Sequence, residues 1–147
     1  MTTTLNKIRE HSPCQEGWTK LLAFLNKTQS DDEELSLLTI LESNGIDDAI
    51  WVLRAVEGHD RKIRLMACDF AESVVHLAKD ERCNKAIEVS RRYVNGGATL
   101  EELVAARAAA RATASAAAWA TASAAARDAA WAAEKQKQIE IFKKYVS

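Results

Sequence analysis

Between Ala105 and Ala133, 19 of 29 residues are alanine and none is glycine or proline. Alanine has the highest intrinsic helix propensity and gives up no side-chain entropy on folding, so this stretch favours helix before any tertiary contact is made. A chain carrying it belongs to the all-α class. We expect one domain over residues 1–147, with amphipathic helices in 1–97 packed as short antiparallel hairpins on a long alanine-rich helix, or helix pair, in 98–147. In this picture the alanine-rich segment is a buried scaffold. The length permits it, since a chain of 147 residues can bury about two-thirds of its unfolded surface.

The scaffold has a geometric problem. As one straight helix, residues 100–146 would run about 70 Å at 1.5 Å per residue, whereas a compact domain of this size is only about 40 Å across. The lack of helix breakers argues for continuity and compactness argues for a break; we expect a break near Ser123 to Asp128. Bare alanine faces let helix axes approach closely, and Trp119 and Trp131 add the bulk that alanine lacks. The motif ATASAAA occurs at 112–118 and again at 120–126. A step of eight residues turns a helix by about 80° past two full turns, so the copies lie on different faces and do not form solenoid modules.

Upstream, local signals mark out the helices. A short one is expected over Leu5 to Glu10. Ser12-Pro13 reads as an N-cap followed by a first-turn proline, with Gln15 completing a capping box for a helix Pro13 to Asn26. Trp18, Leu21, Leu22 and Leu25 recur on one face of it. The polar loop Thr28 to Glu34 carries four consecutive acids. Next, Ser36 to Ser43 predicts a helix stopped by Asn44-Gly45. Asp47 then caps a helix Asp48 to Glu57, with Ile46 stapled on Trp51, and so short a linker implies a hairpin. Asp60 caps a longer helix to Lys79, striped by Ile63, Met66, Ala67, Phe70, Val74 and Leu77. A turn near Asp80 leads to Arg82 to Val94, with Ala86, Ile87 and Tyr93 or Val94 inward. After Asn95-Gly96-Gly97, Thr99 and Glu102 form a capping box. At the end, Ile139, Phe142 and Val146 share a face, and Glu140 can pair with Lys144.

Charge and composition narrow the function classes. Residues 1–97 carry 13 Lys/Arg against 16 Asp/Glu, and residues 98–147 carry 7 against 5, a balance that implies no nucleic acid. Arg107, Arg111, Arg127, Lys135 and Lys137 scatter around the helix instead of forming one basic face. Thr113 and Thr121 make no regular threonine face of the ice-binding kind. The longest uncharged run, Ala112 to Ala126, is too short and too weakly apolar for a membrane span. The opening residues carry no apolar run of signal-peptide type, and three cysteines, Cys14, Cys68 and Cys83, lack disulfide-framework or zinc spacing. A cytoplasmic protein with reduced thiols is the expectation.

Candidate chemistry is sparse. Cys68, Glu72 and His76 lie in a row on one helix and would be the thiol, carboxylate and imidazole of a metal- or cysteine-dependent enzyme. No third residue orients them, and a buried thiol beside two solvated polar groups explains the same letters. His11 and the pair His59-Asp60 read as surface and helix-start residues. The acids from Glu42 to Asp48 lack calcium-loop spacing and read as caps. We expect no catalytic, metal or cofactor site. The residues assigned to partner binding are Asp31, Asp32, Glu33 and Glu34, with Glu42, Asp47 and Asp48, an acidic group suited to steering a basic protein.

Three stretches together have a family look: HSPCQEGWTKLL, LLTILESNGIDDAIWVLRAVEGHDRKIRLMA, and the alanine-, arginine- and tryptophan-rich tail. They resemble the all-helical immunity proteins of bacterial polymorphic toxin systems, a family also met among phage-encoded proteins. The likeness spans about residues 11 to 147 and is most specific from Leu41 to Arg54 and from Gly58 to Arg61. It implies a non-catalytic protein that binds and neutralises a protein partner, a toxin or, for a phage gene, a host defence component. It supplies no binding residues to carry over. The alternative is a structural or assembly protein that self-associates, as a homodimer, through the alanine-rich helix.

Overall fold

Eight α-helices and one two-residue antiparallel ribbon make up the described part of the molecule, which is all-α. The computed structural model describes the backbone of residues 1–78, 81–117 and 124–147, and the side chains of 1–75, 81–109 and 132–147. The chain divides into two compact units, one of Met1–Ile63 with Phe142–Ser147 and the other of Arg64–Ile141. The composition change after Gly97 falls inside the second.

The first unit holds β1 (Thr2–Thr3), α1 (Leu5–Glu10), α2 (Gln15–Phe24), β2 (Leu35–Ser36), α3 (Leu37–Asn44), α4 (Ile46–Val52) and a 3₁₀ turn, Leu53–Ala55. Its core is formed by Leu5, Ile8, Leu21, Leu37, Ile40, Ala49, Val52 and Phe142, all almost fully buried. In the ribbon Thr2 faces Ser36 and Thr3 faces Leu35. A ribbon of this length has no stability of its own. It is held by the buried Thr3 hydroxyl, which donates to the Ala55 carbonyl at 2.5 Å, and by the Met1 ammonium, which donates to the Val146 carbonyl.

Helix boundaries here follow backbone needs that override the simplest cap pattern. Ser12 does not cap α2. It sits at φ 54° and its N–H closes the end of α1 on the Arg9 carbonyl, at 3.0 Å. The cap of α2 therefore falls to Cys14, whose sulfur accepts from Gly17 N–H at 3.4 Å, while Gln15 donates instead to the Thr19 hydroxyl. Asn26 at φ 54° ends α2: Lys27 N–H bonds the Leu22 carbonyl and Asn26 N–H the Ala23 carbonyl, the Schellman pattern. The stripe on α2 buries Leu21 fully and Trp18, Leu22 and Leu25 partly.

Ser36 caps α3, and Gly45 at φ 93° ends it, as expected from Asn44-Gly45. Because Gly45 alone turns the chain, α4 starts at Ile46; Asp47 and Asp48 lie in its first turn, and Asp47 is not the cap. Carboxylates there still complement the helix dipole. Nor does α4 reach Glu57. The Arg54 Nε donates to the Trp51 carbonyl at 2.9 Å, the guanidinium stacks 4.4 Å from the Trp51 ring centre, and Val56 is extended.

The longer helix α5 (Asp60–Ala78) crosses from the first unit into the second at Ile63 and Arg64. The His59 carbonyl accepts from Ile63 N–H, so Asp60 is the first helical residue, not its cap. Of its predicted stripe, Met66 is buried and Ile63, Phe70 and Val74 are half-buried; Ala67 is exposed, and Cys68 is buried in its place. The Leu77 side chain, Lys79 and Asp80 lie outside what the structure describes. Helices α6 (Glu81–Val94), α7 (Leu100–Ala117) and α8 (Ala124–Val146) complete the second unit, with α6 packed along α7. The turn between them is another Schellman end, with Gly96 at φ 76°. Arg92 donates to the Gly97 carbonyl at 2.7 and 3.1 Å. The capping box is present: Thr99 N–H bonds Glu102 at 2.7 Å and Glu102 N–H bonds the Thr99 hydroxyl at 3.2 Å. Ser73 donates to the Glu134 carboxylate at 2.5 Å, joining α5 to α8.

The alanine-rich segment is helical over 105–117 and 124–133, as its composition requires. Residues 124–128, where a break was expected, are helical; Ser123 and the junction 118–123 lie outside the described residues. The scaffold expectation is corrected for the side chains on view. Ala105, Ala108, Ala109, Ala132 and Ala133 are exposed, and only Leu103 of the first turns of α7 is buried. Alanine secures the helix, but its small apolar area gives little drive to bury it. Trp119 and Trp131 lie outside the described side chains.

Candidate binding surfaces

The acidic loop after α2 has no regular structure, yet its backbone and carboxylates are tied down. Lys27 Nζ donates to Asp31 and to Glu33, each at 2.6 Å. Asp31 also accepts from Glu33 N–H at 3.2 Å, and its carbonyl from Asn6 N–H at 3.0 Å. The Thr2 hydroxyl donates to Glu34 at 2.7 Å. The Lys27 hydrogen bond, chiefly, holds the Asp31 carboxyl below the ordinary aspartate range, and the same bonds raise the Lys27 ammonium above the ordinary lysine value. Asp32, Glu33 and Glu34 face solvent.

Of the second set of acids, Asp48 is held by a different network. Asn44 Nδ2 donates to the Gly17 carbonyl and to Asp48, both at 2.8 Å, and Ser43 donates to Asn44 Oδ1 at 2.7 Å. Glu42 and Asp47 are exposed. The seven acids assigned to partner binding all lie in the first unit; Asp31 and Glu33 are bonded to Lys27, Glu34 to Thr2 and Asp48 to Asn44.

The row Cys68, Glu72, His76 is not assembled as a reactive group by the side chains on view. Burial pushes the Cys68 thiol up, against the pull of Arg91, so it resists ionisation. Glu72 is held by Arg91, which also bonds Asp69 at 2.5 Å. The His76 side chain lies outside the described residues. Among the described residues no group of three or more His, Cys, Asp or Glu is placed to hold a metal ion, and no helix is long and apolar enough to cross a membrane.

Comparison of the chain with protein-family models, with curated proteins and with solved structures finds no match.

Sequence reasoning missed an apolar cavity of 440 Å³ in the second unit, walled by α5, α6 and the start of α7. Ala71, Val74 and Val75 face it from α5, and Ala86, Ile87 and Val94 from α6; Leu103 closes the α7 side. The signal was present as the apolar face of α6, of which Ile87 and either Tyr93 or Val94 were expected to face inward. They are half-buried because they line an open space. Arg64 and Arg107 are its two cations, and no carboxylate is among the described residues of its wall.

Proposed function

We propose that this chain is a non-catalytic binding protein that occupies a basic surface of a protein partner and neutralises it, in the manner of the immunity proteins its sequence resembles. The observation that carries the reading is the acidic loop: it has no helix or strand to stiffen it, but Lys27, Asn6 and Thr2 fix it at three places. A loop already ordered loses little entropy on binding, and exposed carboxylates speed encounter with a cationic partner. Asp32, Glu34, Glu42 and Asp47 present the charge, and Lys27 orders the loop at the cost of two charges. The partner class is a toxin or a host defence component.

The test is partner capture by cross-linking in the native host, comparing the parent chain with the variant Asp32→Lys, Glu34→Lys, Glu42→Lys. A partner whose association slows with added salt and is at least tenfold weakened in the variant supports the reading. A partner bound equally by both, or none recovered, overturns the assignment of this surface.

One observation favours a second reading, self-association through the alanine-rich helix. Leu100 and Val104, one turn apart on α7, are 56% and 59% exposed. Sedimentation that gives a dimer in the parent chain and a monomer in Leu100→Glu would favour it.

A further inference from the structure

The cavity of the second unit is mainly apolar, with two arginines in its wall. We propose that it binds a long-chain carboxylate, the acid group at Arg64 and Arg107 and the chain among Ala71, Val75, Ala86 and Ile87. The volume, 440 Å³, lies in the range of about 300–1,000 Å³ typical of small-molecule sites. No acid lines its wall among the described residues, and the neighbouring Asp69 and Glu72 are paired with Arg91.

The two arginines are the charged side chains of the wall. The Arg64 guanidinium lies 6.0 Å from the Tyr93 ring centre, where the start of the α5 wall meets the end of α6. Arg107 stands one turn past Leu103 on α7, in the same wall. From Arg64 the wall of α5 continues to Val75, about 16 Å at 1.5 Å per residue, and Val75 and Cys83 line it as well. Arg91, the third arginine nearby, is already occupied by Asp69 and Glu72. Arg64 and Arg107 make no ion pair within the described residues, which leaves both for a ligand anion.

A linear acid fits this wall better than a partner helix does. Two cations in a mainly apolar wall match one charged head and one tail, whereas a helix would bring polar groups along its whole length. The reading is independent of the proposed partner surface, which lies in the other unit.

The test uses the purified full chain and hexadecanoate below its aggregation concentration, followed by calorimetry and by the rate at which a maleimide modifies Cys83. Expected are saturable binding, slower Cys83 modification, and at least about tenfold weaker binding of methyl hexadecanoate, which keeps the chain but loses the charge. Arg64→Gln, Arg107→Gln alters two exposed side chains and should keep the fold while abolishing the preference for acid over ester. Octanoate should bind more weakly than hexadecanoate. No saturable binding, equal binding of acid and ester, or an unchanged preference in the double variant would overturn the proposal; equal binding would assign the cavity to a neutral apolar occupant.

Discussion

At Gly17 the backbone of α2 comes so close to the α3–α4 junction that a side chain has no room. A Cβ there would stand 2.7 Å from Asp48 Oδ2, 3.2 Å from the Cys14 sulfur and 3.5 Å from Asn44 Nδ2. Glycine within a helix ordinarily costs about 0.5–1 kcal/mol relative to alanine. Here the sign reverses. Gly17→Ala should destabilise by about 1–3 kcal/mol, the range of overpacking, because Asp48 must leave Asn44 to make room. In an Asp48→Ala background the same change should lose most of its cost. Denaturant unfolding of the four variants checks this, and an unchanged cost would show that the Asp48 contact is not what excludes the methyl group. None of this was legible in the letters, which present Gly17 as an ordinary early helix residue; its constraint comes from Asp48, 31 positions away.

At the scale of the element, the loop from Lys27 to Glu34 behaves as a clamped segment. The Asp31 carboxyl lies below its ordinary value through its bond to Lys27. The clamp therefore stabilises the fold fully above the unfolded aspartate value of about 3.9, and is lost as pH falls through the lower folded value. Carboxyl-carbon NMR should show Asp31 titrating below ordinary aspartates, and Lys27→Met should return it toward them; an unmoved titration would refute the clamp. Elements like Thr99 to Glu102 were readable because donor and acceptor lie three residues apart and depend on nothing else. Ser12 was misread because the same residue is also needed, at positive φ, to finish α1. The ribbon of Thr2–Thr3 with Leu35–Ser36 left no signal, since its pairing is non-local and each strand is too short for an alternating pattern.

Across the whole molecule, the all-helical class was legible from alanine content and from 3.6-residue periodicity. The location of the core was not. Helix propensity is a backbone property, whereas burial follows apolar area, and the larger side chains Leu5, Ile8, Leu37, Ile40 and Phe142 gather in the first unit. Phe142 is 0% exposed and belongs to that unit although most of α8 belongs to the other. Phe142→Ala should cost about 3–5 kcal/mol, a large part of a total stability of about 5–15 kcal/mol. Hydrogen exchange should show the loss first at backbone amides of the first unit. Faster exchange confined to the second unit would contradict this placement.

The seat of Phe142 also sets an order of events during synthesis. The 78 residues of Arg64–Ile141 must be translated after Ile63 before the aromatic ring that fills the first unit exists. At ~5–20 residues per second that interval is roughly 4–16 s. Throughout it the nascent amino-terminal helices hold an unfilled hole. A chain cut short within this window lacks the ring that packs the first unit, and its amino-terminal helices are destabilised accordingly.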